Sequence, residues 1–322
     1  MNNFWSKLQR PILVLAPMAD VTDAAFRRII AKYGKPDVFY TEFVSANGLA
    51  RAPEEGRQKL LKELRESGNE RPIVAQFFTS TPEHMERAAK LALELGFDGV
   101  DINMGCPDKS IEKQGAGAAL IKNPKLAKEL ILAAQKGAPT LPISVKTRAG
   151  YNQVEIEKWL PEILSVHPAV VTIHARTRKE MSKVPARWEC VLRAVEIRDE
   201  LKSETLIFGN GDVRDLNDAR EKVKETGCDG VMLGRAIFGN PWLFAEKIPS
   251  TEERLKVLVE HCKLFEELLG GVKNFAIMKK HFKAYVNGFD SSAELRGKLM
   301  EANSSQEVED IVVSFLDKLR PL

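Results

Sequence analysis

The sequence predicts an α/β fold: a TIM (β/α)8 barrel over residues 1–247, followed by a small all-α helical bundle over 248–322. Three observations carry this reading. Eight short apolar segments recur, each followed by a helical pattern, and strict alternation of this kind implies parallel strands. The segments are apolar almost throughout, as strands covered on both faces must be, and eight such units over roughly 240 residues match the length of a barrel. After Pro249 the strand pattern stops and amphipathic helical segments take over. An open doubly wound sheet would carry a GxGxxG turn after its first strand, and none is present.

In chain order the predicted strands are ILVLAPM (12–18), DVFYTEFV (37–44), PIVAQFF (72–78), GVDINMG (99–105), PISVKTR (142–148), AVVTIHA (169–175), TLIFGNGD (205–212) and GVMLGR (230–235). Helix starts are legible between them. Thr81 is placed to cap a helix with Pro82 in its first position, and Asp215 to cap the helix after the seventh strand. Beyond Pro249, Ser250 with Glu253, Ser291 with Glu294, and Ser304 with Glu307 have capping-box spacing. Leu255, Leu258, Val259, Cys262 and Phe265, then Val308, Ile311, Val312, Phe315 and Leu319, form apolar stripes at helical spacing.

Composition narrows the function classes. With 322 residues and 44% apolar content the chain can bury a large core. No apolar run is long enough to span a membrane, and Pro11 and Pro17 break the amino-terminal one, so a soluble, cytoplasmic protein is expected. Cys106, Cys190, Cys228 and Cys262 lie far apart with no CxxC pair, which argues against a metal centre and against a disulfide framework. A net charge of +3 tolerates a polyanionic partner without demanding one.

In a TIM barrel the active site lies at the carboxyl ends of the strands, and unusual residues collect there. The first strand runs into Pro17, Met18 and Ala19; the third contains Gln76; the fourth runs into Asn103 and Cys106. The fifth supplies Lys146 and Arg148, the sixth His174 and Arg176, the seventh Asn210, Gly211 and Asp212, and the eighth Gly234 and Arg235. A polar side chain inside an apolar strand needs a partner, so this convergence makes poor core filling. GNGD at 209–212 and Gly234-Arg235 put glycines and a cation in loops that commonly bind phosphate in this fold. Lys146 and His174 suit either the negative charge that develops on a reduced flavin or a polarised substrate carbonyl. In GVDINMGCP (99–107), Gly105 and Pro107 end the strand and leave Cys106 in a loop at its carboxyl end.

Together, APMADVTDAAFRR (16–28), NMGCP (103–107), GAGAAL (115–120), VKTRAG (145–150), IHARTR (173–178), GNGDV (209–213) and MLGRAIFGNPWLF (232–244) resemble the dihydrouridine synthases, in the same order and over nearly the whole barrel. The resemblance implies an FMN-dependent enzyme that reduces the C5–C6 double bond of uridine in RNA, chiefly tRNA. It implies that NADPH reduces FMN, that flavin N5 passes hydride to C6, and that Cys106 passes a proton to C5. It further implies that Pro17, Met18 and Ala19 line the flavin, that Gln76, Lys146 and His174 lie at its ring, and that Asn210, Gly211, Asp212, Gly234 and Arg235 surround its phosphate. Asn103 is implied near the target base, with Arg148, Arg176 and Arg178 as guides for base or phosphate. MKKHFKAY (278–285) resembles the family's basic RNA-touching helix, which adds Lys279 and Lys280 to the substrate contacts. A monomer is expected. The family pattern is broken after the sixth strand, where Ala175, Glu180, Ser182, Val184 and Arg187 replace the usual residues and Trp188 remains.

A thiol near its reference pKa of about 8.5 is mostly protonated at neutral pH, which suits an acid. Competing readings are a flavin-dependent oxidoreductase of a small molecule, an aldolase using Lys146 as a Schiff base, a non-catalytic RNA-binding paralogue, and a thiol hydrolase pairing Cys106 with His174.

Overall fold

A computed structural model describes residues 3–319; the side chain of Leu319, placed above in an apolar stripe, lies outside the described residues. Eight parallel strands form one sheet: β1 (Ile12–Leu15), β2 (Phe39–Ser45), β3 (Ile73–Phe78), β4 (Gly99–Asn103), β5 (Ile143–Gly150), β6 (Val170–Thr177), β7 (Leu206–Asn210) and β8 (Gly230–Leu233). Their order is β1-β8-β7-β6-β5-β4-β3-β2, and a parallel bridge between Val14 and Val38 joins β1 to the start of β2. The sheet therefore closes into a barrel, as the alternation of strand and helix requires.

The period-2 geometry of a strand splits its side chains between two cores. Ile12, Val14, Val38, Tyr40, Val74, Val170, Leu206, Phe208 and Met232 fill the barrel's interior, and Trp5 meets the Phe208 ring edge-on at 5.5 Å. The alternate residues, such as Val100, Ile102, Val145, Val171 and Ile173, pack outward under the helices. In β4 this alternation leaves Asp101 and Asn103 for the interior, where an apolar pair would otherwise stand.

Pro82–Glu94 begins after Thr81, as expected, but Thr81 accepts no capping bond through its side chain; its own N–H instead donates to Thr79 Oγ1. Asp215 caps Leu216–Thr226 by accepting from the Asp218 N–H. Ser250 and Glu253 form a full capping box on Thr251–Leu269. Ser304 caps the last helix through the Glu307 N–H, while the Glu307 carboxylate accepts from Asn303. Ser291 corrects its expectation: it precedes Ser292–Glu301 at φ +61° with no side-chain cap, since a left-handed residue cannot aim its hydroxyl along the helix start.

The carboxyl-terminal helices Thr251–Leu269, Lys279–Tyr285, Ser292–Glu301 and Ser305–Leu319 bury the predicted stripes, and one continuous apolar core joins them to the barrel helix Ala24–Tyr33. Polar contacts pin the same junction. Glu260 accepts from Tyr33 Oη (2.6 Å) and Lys32 Nζ (2.7 Å). Lys273 reaches Glu42 of β2 (2.8 Å) and Asp20 in the loop after β1 (3.3 Å). Within the barrel wall, the fully buried Arg27 pairs with Glu70 (2.7 Å) and donates to the Thr22 and Arg65 carbonyls, so a charge in the core is met on every side.

Candidate active site

The carboxyl ends of the strands hold a cleft of about 290 Å³ whose lining includes Pro17, Met18, Lys146, His174, Arg176, Ser182, Asn210, Gly211, Asp212, Gly234 and Arg235. Nine of the residues expected at the flavin, and Arg176 expected at the substrate, thus meet in one place. Ala19 departs from its expectation: it is exposed one residue beyond the lining, because the chain turns outward after Met18. A larger cleft of about 640 Å³ opens between loops at the amino-terminal end of the barrel, among Arg10, His167 and Ser203, and holds none of the predicted residues.

Below the mouth, the barrel interior carries a chain of buried polar groups. Gln76, Asp101 and Ser144 stand side by side across β3, β4 and β5. Ser144 Oγ donates to Asp101 Oδ1 (2.6 Å), Gln76 Nε2 to Asp101 Oδ2 (2.6 Å), and Asn103 Nδ2 to Gln76 Oε1 (3.1 Å). Asn103 Oδ1 then accepts the N–H groups of Gly105 (3.1 Å) and Cys106 (2.9 Å). The loop that carries Cys106 is therefore anchored to the barrel floor through one amide. Gln76, expected at the flavin ring, is fully buried and spends both ends of its amide on this chain. Asp101 and Ser144 were not singled out from the sequence, although a carboxylate inside an apolar strand is the same signal that marked Gln76.

Cys106 sits half-buried at the end of this chain. Burial pushes its thiol above the usual range, outweighing the pull of Arg148 and Lys146. Its carbonyl accepts from the Ala118 N–H (2.9 Å), and Gly117 supports that contact at φ +60°. Arg148 donates through Nε to the Gly105 carbonyl (2.7 Å) and through Nη1 to the Thr177 and Met181 carbonyls (both 3.3 Å), tying the Cys106 loop to the segment after β6. Burial pushes its pKa down to about 10, so it remains a cation at neutral pH.

Lys146 and His174 face the cleft from β5 and β6. Burial, then the Arg148 charge, brings Lys146 down to about 8; its Nζ donates to Asn210 Oδ1 (3.3 Å). Burial, followed by the charges of Lys146, Arg148 and Arg176, holds His174 well below its ordinary range, so its ring is neutral. Arg176 Nη1 lies 3.2 Å from His174 Nε2, and because guanidinium only donates, Nε2 accepts and the ring proton sits on Nδ1.

Asp212 organises the cleft's cationic end. One carboxylate oxygen receives Arg176 and the Ala186 N–H, and the other receives Arg235 Nη2 at 2.5 Å. It is thus spent on holding arginines, which leaves Arg235, Arg176 and the loop backbone as the cleft's donors at this end. At Gly211, φ is +128° and a Cβ would meet Ala186 Cβ at 3.0 Å and His174 Cδ2 at 3.2 Å, so only glycine lets this backbone line the cleft. A bare backbone turn, two arginines, an amine and an apolar wall of Pro17 and Met18 form a donor set that fits a flat, phosphorylated ring ligand.

The chain also matches known proteins. Residues 14–320 match the family model described as Dihydrouridine synthase (Dus). The chain belongs to the dihydrouridine synthase family. A probable tRNA-dihydrouridine synthase 2 of Bacillus subtilis is 41% identical, covering 97% of this chain and 96% of its own. A probable tRNA-dihydrouridine synthase of Staphylococcus epidermidis is 40% identical with the same coverage. Among solved structures, a variant of NCR from Zymomonas mobilis is 17% identical over 74% of this chain and 87% of that one, with a TM-score of 0.50. A 2-naphthoyl-CoA reductase is 13% identical over 73% and 49%, with a TM-score of 0.55; identities this low show the barrel fold alone. Membership in the dihydrouridine synthases brings flavin dependence.

Two expectations for RNA contact look different in three dimensions. Arg178 is held by a bidentate pair with Glu112 and lies over Tyr151. In Lys279–Tyr285 the aromatic residues Phe282 and Tyr285 are fully buried, so they are core and offer no stacking face; Lys280 and Lys283 are exposed, and Lys279 is half-buried.

Proposed function

We propose that this protein reduces the C5–C6 double bond of uridine in tRNA to 5,6-dihydrouridine, with FMN in the cleft and NADPH as the reductant. The observation that carries the reading is Cys106: a half-buried thiol held protonated by burial, in a loop fixed by Asn103, beside a cleft built for a phosphorylated ring. The chemistry FMN supplies when bound is hydride delivery to C6 of the uracil.

The residues of this chain do the rest. Lys146 offers a cation and His174 its Nδ1 proton at the polar edge of the ring, while Arg235, Arg176 and the 209–212 backbone hold the phosphate. Asn103 uses one amide hydrogen on Gln76 and keeps the second for a uracil carbonyl, so the group that anchors the catalytic loop also orients the base. Cys106 Sγ gives its proton to C5. Arg148 and Arg176, both buried, guide a flipped nucleotide by holding the loops around its entrance, and Arg178 stands beside them on Glu112. Lys279 and Lys280 contact the RNA backbone from the helical segment at 248–322.

The test is Cys106→Ala. The variant should keep its yellow chromophore and its reduction by NADPH, yet form dihydrouridine in unmodified tRNA about 100-fold to 10,000-fold more slowly, the usual worth of a general acid. Unchanged turnover would remove Cys106 from the chemistry and leave the C5 proton to another donor; absence of dihydrouridine with the wild-type enzyme would overturn the reaction itself.

A further inference from the structure

A second basic feature lies on the barrel itself. Helices Ala46–Arg51, Glu54–Glu63 and Pro82–Glu94 enclose a cleft of about 400 Å³ whose charged lining is Arg57, Arg87 and Lys90 against Glu94. Many arginines elsewhere on this surface are neutralised: Arg193 meets three glutamates, and Arg71, Arg198 and Arg220 each meet carboxylates, while Arg65, Arg254 and Arg296 meet backbone carbonyls. Arg57, Arg87 and the neighbouring Arg51 are exposed and form no ion pair with any described residue. His84, in the same wall, senses the excess: after burial, the charges of Arg51 and Arg87 are what push its pKa down.

The cleft's position ties it to the active site. Asn47, on the helix that ends at Arg51, bonds through Oδ1 to Thr79 and His84, and its Nδ2 approaches Gln114 Oε1 at 3.5 Å. Ser80 Oγ donates to the Gln114 carbonyl at 2.5 Å. Gln114 ends Lys109–Lys113, the short helix that follows Cys106, and Lys109 and Lys113 on it are also exposed and unpaired among the described residues. Unneutralised cations therefore run from the catalytic loop to the cleft on one side of the mouth. The helical segment from 246 onward carries 12 Lys and Arg against 13 Asp and Glu, so the chain's positive excess resides on the barrel. Partner-free guanidinium groups around a concave site are the arrangement that binds phosphate oxygens.

We propose that this cleft binds backbone phosphates of the RNA substrate, with Arg57 and Arg87 as the direct contacts and Arg51, Lys109 and Lys113 leading to the mouth. The inference rests on the RNA-reductase reading for its ligand, and its test separates the two. Binding of an unmodified tRNA transcript is measured against salt for the wild-type flavoprotein, for Arg57→Gln/Arg87→Gln, and for a charge-matched control, Lys7→Gln/Lys224→Gln, away from this face. Loss of two phosphate contacts should lower the slope of log affinity against log salt by about 1.4 to 1.8. In turnover, KM for the transcript should rise about tenfold with kcat and NADPH-driven flavin reduction unchanged. The control should keep the wild-type slope, and Arg57→Lys/Arg87→Lys should recover most of it. An unchanged slope and affinity in the glutamine pair overturns the site, as does an equal loss in the control; an acidic protein as the true occupant would give the first result. Wild-type enzyme that binds the transcript through these arginines but forms no dihydrouridine would leave the site standing and refute the proposed reaction.

Discussion

Asp101 sits at the centre of the barrel floor with both oxygens occupied, and burial lifts its carboxyl to about 6 despite those bonds. Its folded value lies above the unfolded value of 3.8, so the folded state holds the extra proton between them. The stability this provides is fully present below about pH 4 and is lost as pH rises through about 6. Asp101→Asn has no such titration, and its amide cannot accept at both ends, so it leaves Gln76 or Ser144 unpaired at a cost of about 1–3 kcal/mol. The stability of wild type relative to the variant should be greatest near about pH 4 and fall to a plateau above about pH 7, as read from urea midpoints. A difference independent of pH would mean that Asp101 stays ionised throughout. Residues of this kind were only half legible in the sequence. Lys146 and His174 stand out because their chemistry is rare in apolar strands, and Cys106 because Gly105 and Pro107 leave it in a loop at a strand's end, whereas Asp101 and Ser144 act through a row across three strands that only register reveals.

At the scale of elements, the turn Gly117–Lys122 buttresses the Cys106 loop. A Cβ at Gly117 would lie 2.7 Å from the Cys106 carbonyl oxygen and 2.9 Å from Ile111 Cγ2, and the residue also sits at φ +60°. Gly117→Ala should therefore lose about 1–3 kcal/mol of stability and push the loop away from Asn103. Dihydrouridine formation should fall at least about tenfold while flavin binding and NADPH oxidation stay near wild type, because misplacement by about 1 Å is enough to disable a positioned acid. Turnover at the wild-type rate would show that the loop does not depend on this turn. All eight strands were legible because their apolar runs are bounded by Gly, Pro and polar turns. Two features of the helical segment were not. Ser291 has the right spacing for a cap but the wrong backbone angle, and in MKKHFKAY the sequence does not show that Phe282 and Tyr285 turn into the core while Lys280 and Lys283 stay exposed. The segment after β6 was recognised as atypical, and its anchors were invisible: Arg148 to Met181, Arg176 to Val184, and Asp212 to Ala186 all cross long stretches of sequence or tight turns.

At the scale of the whole molecule, the barrel and the helical segment meet around two histidines. His261 stacks on Phe26 at 4.9 Å, and His281 lies 4.7 Å from His261 and 5.7 Å from Phe238. Both are fully buried, and neither ring nitrogen of either has a hydrogen-bond partner. The groups facing the pair are aromatic, with Tyr285 beside His261 and the Lys280 charge acting on His281, so nothing stabilises an imidazolium. Burial accordingly holds His261 well below its ordinary range and takes His281 down to about 3. Both folded values lie below the unfolded value of 6.5, so the unfolded chain takes up two protons that the folded chain refuses. Stability from this junction is present above about pH 6.5 and is lost as pH falls, at up to about 2.7 kcal/mol per pH unit once both sites titrate in the unfolded chain. His281→Phe keeps a ring in the aromatic cage, removes two unpartnered nitrogens and deletes one of the two protons. It should match or exceed wild-type stability at about pH 7, and its loss of stability between about pH 6 and about pH 4.5 should be shallower by about 1.4 kcal/mol per unit. Chemical denaturation across that range measures the difference directly. Parallel curves for the two proteins would show that His281 is charged inside the fold, and that the helical segment is held to the barrel by something other than a neutral aromatic junction.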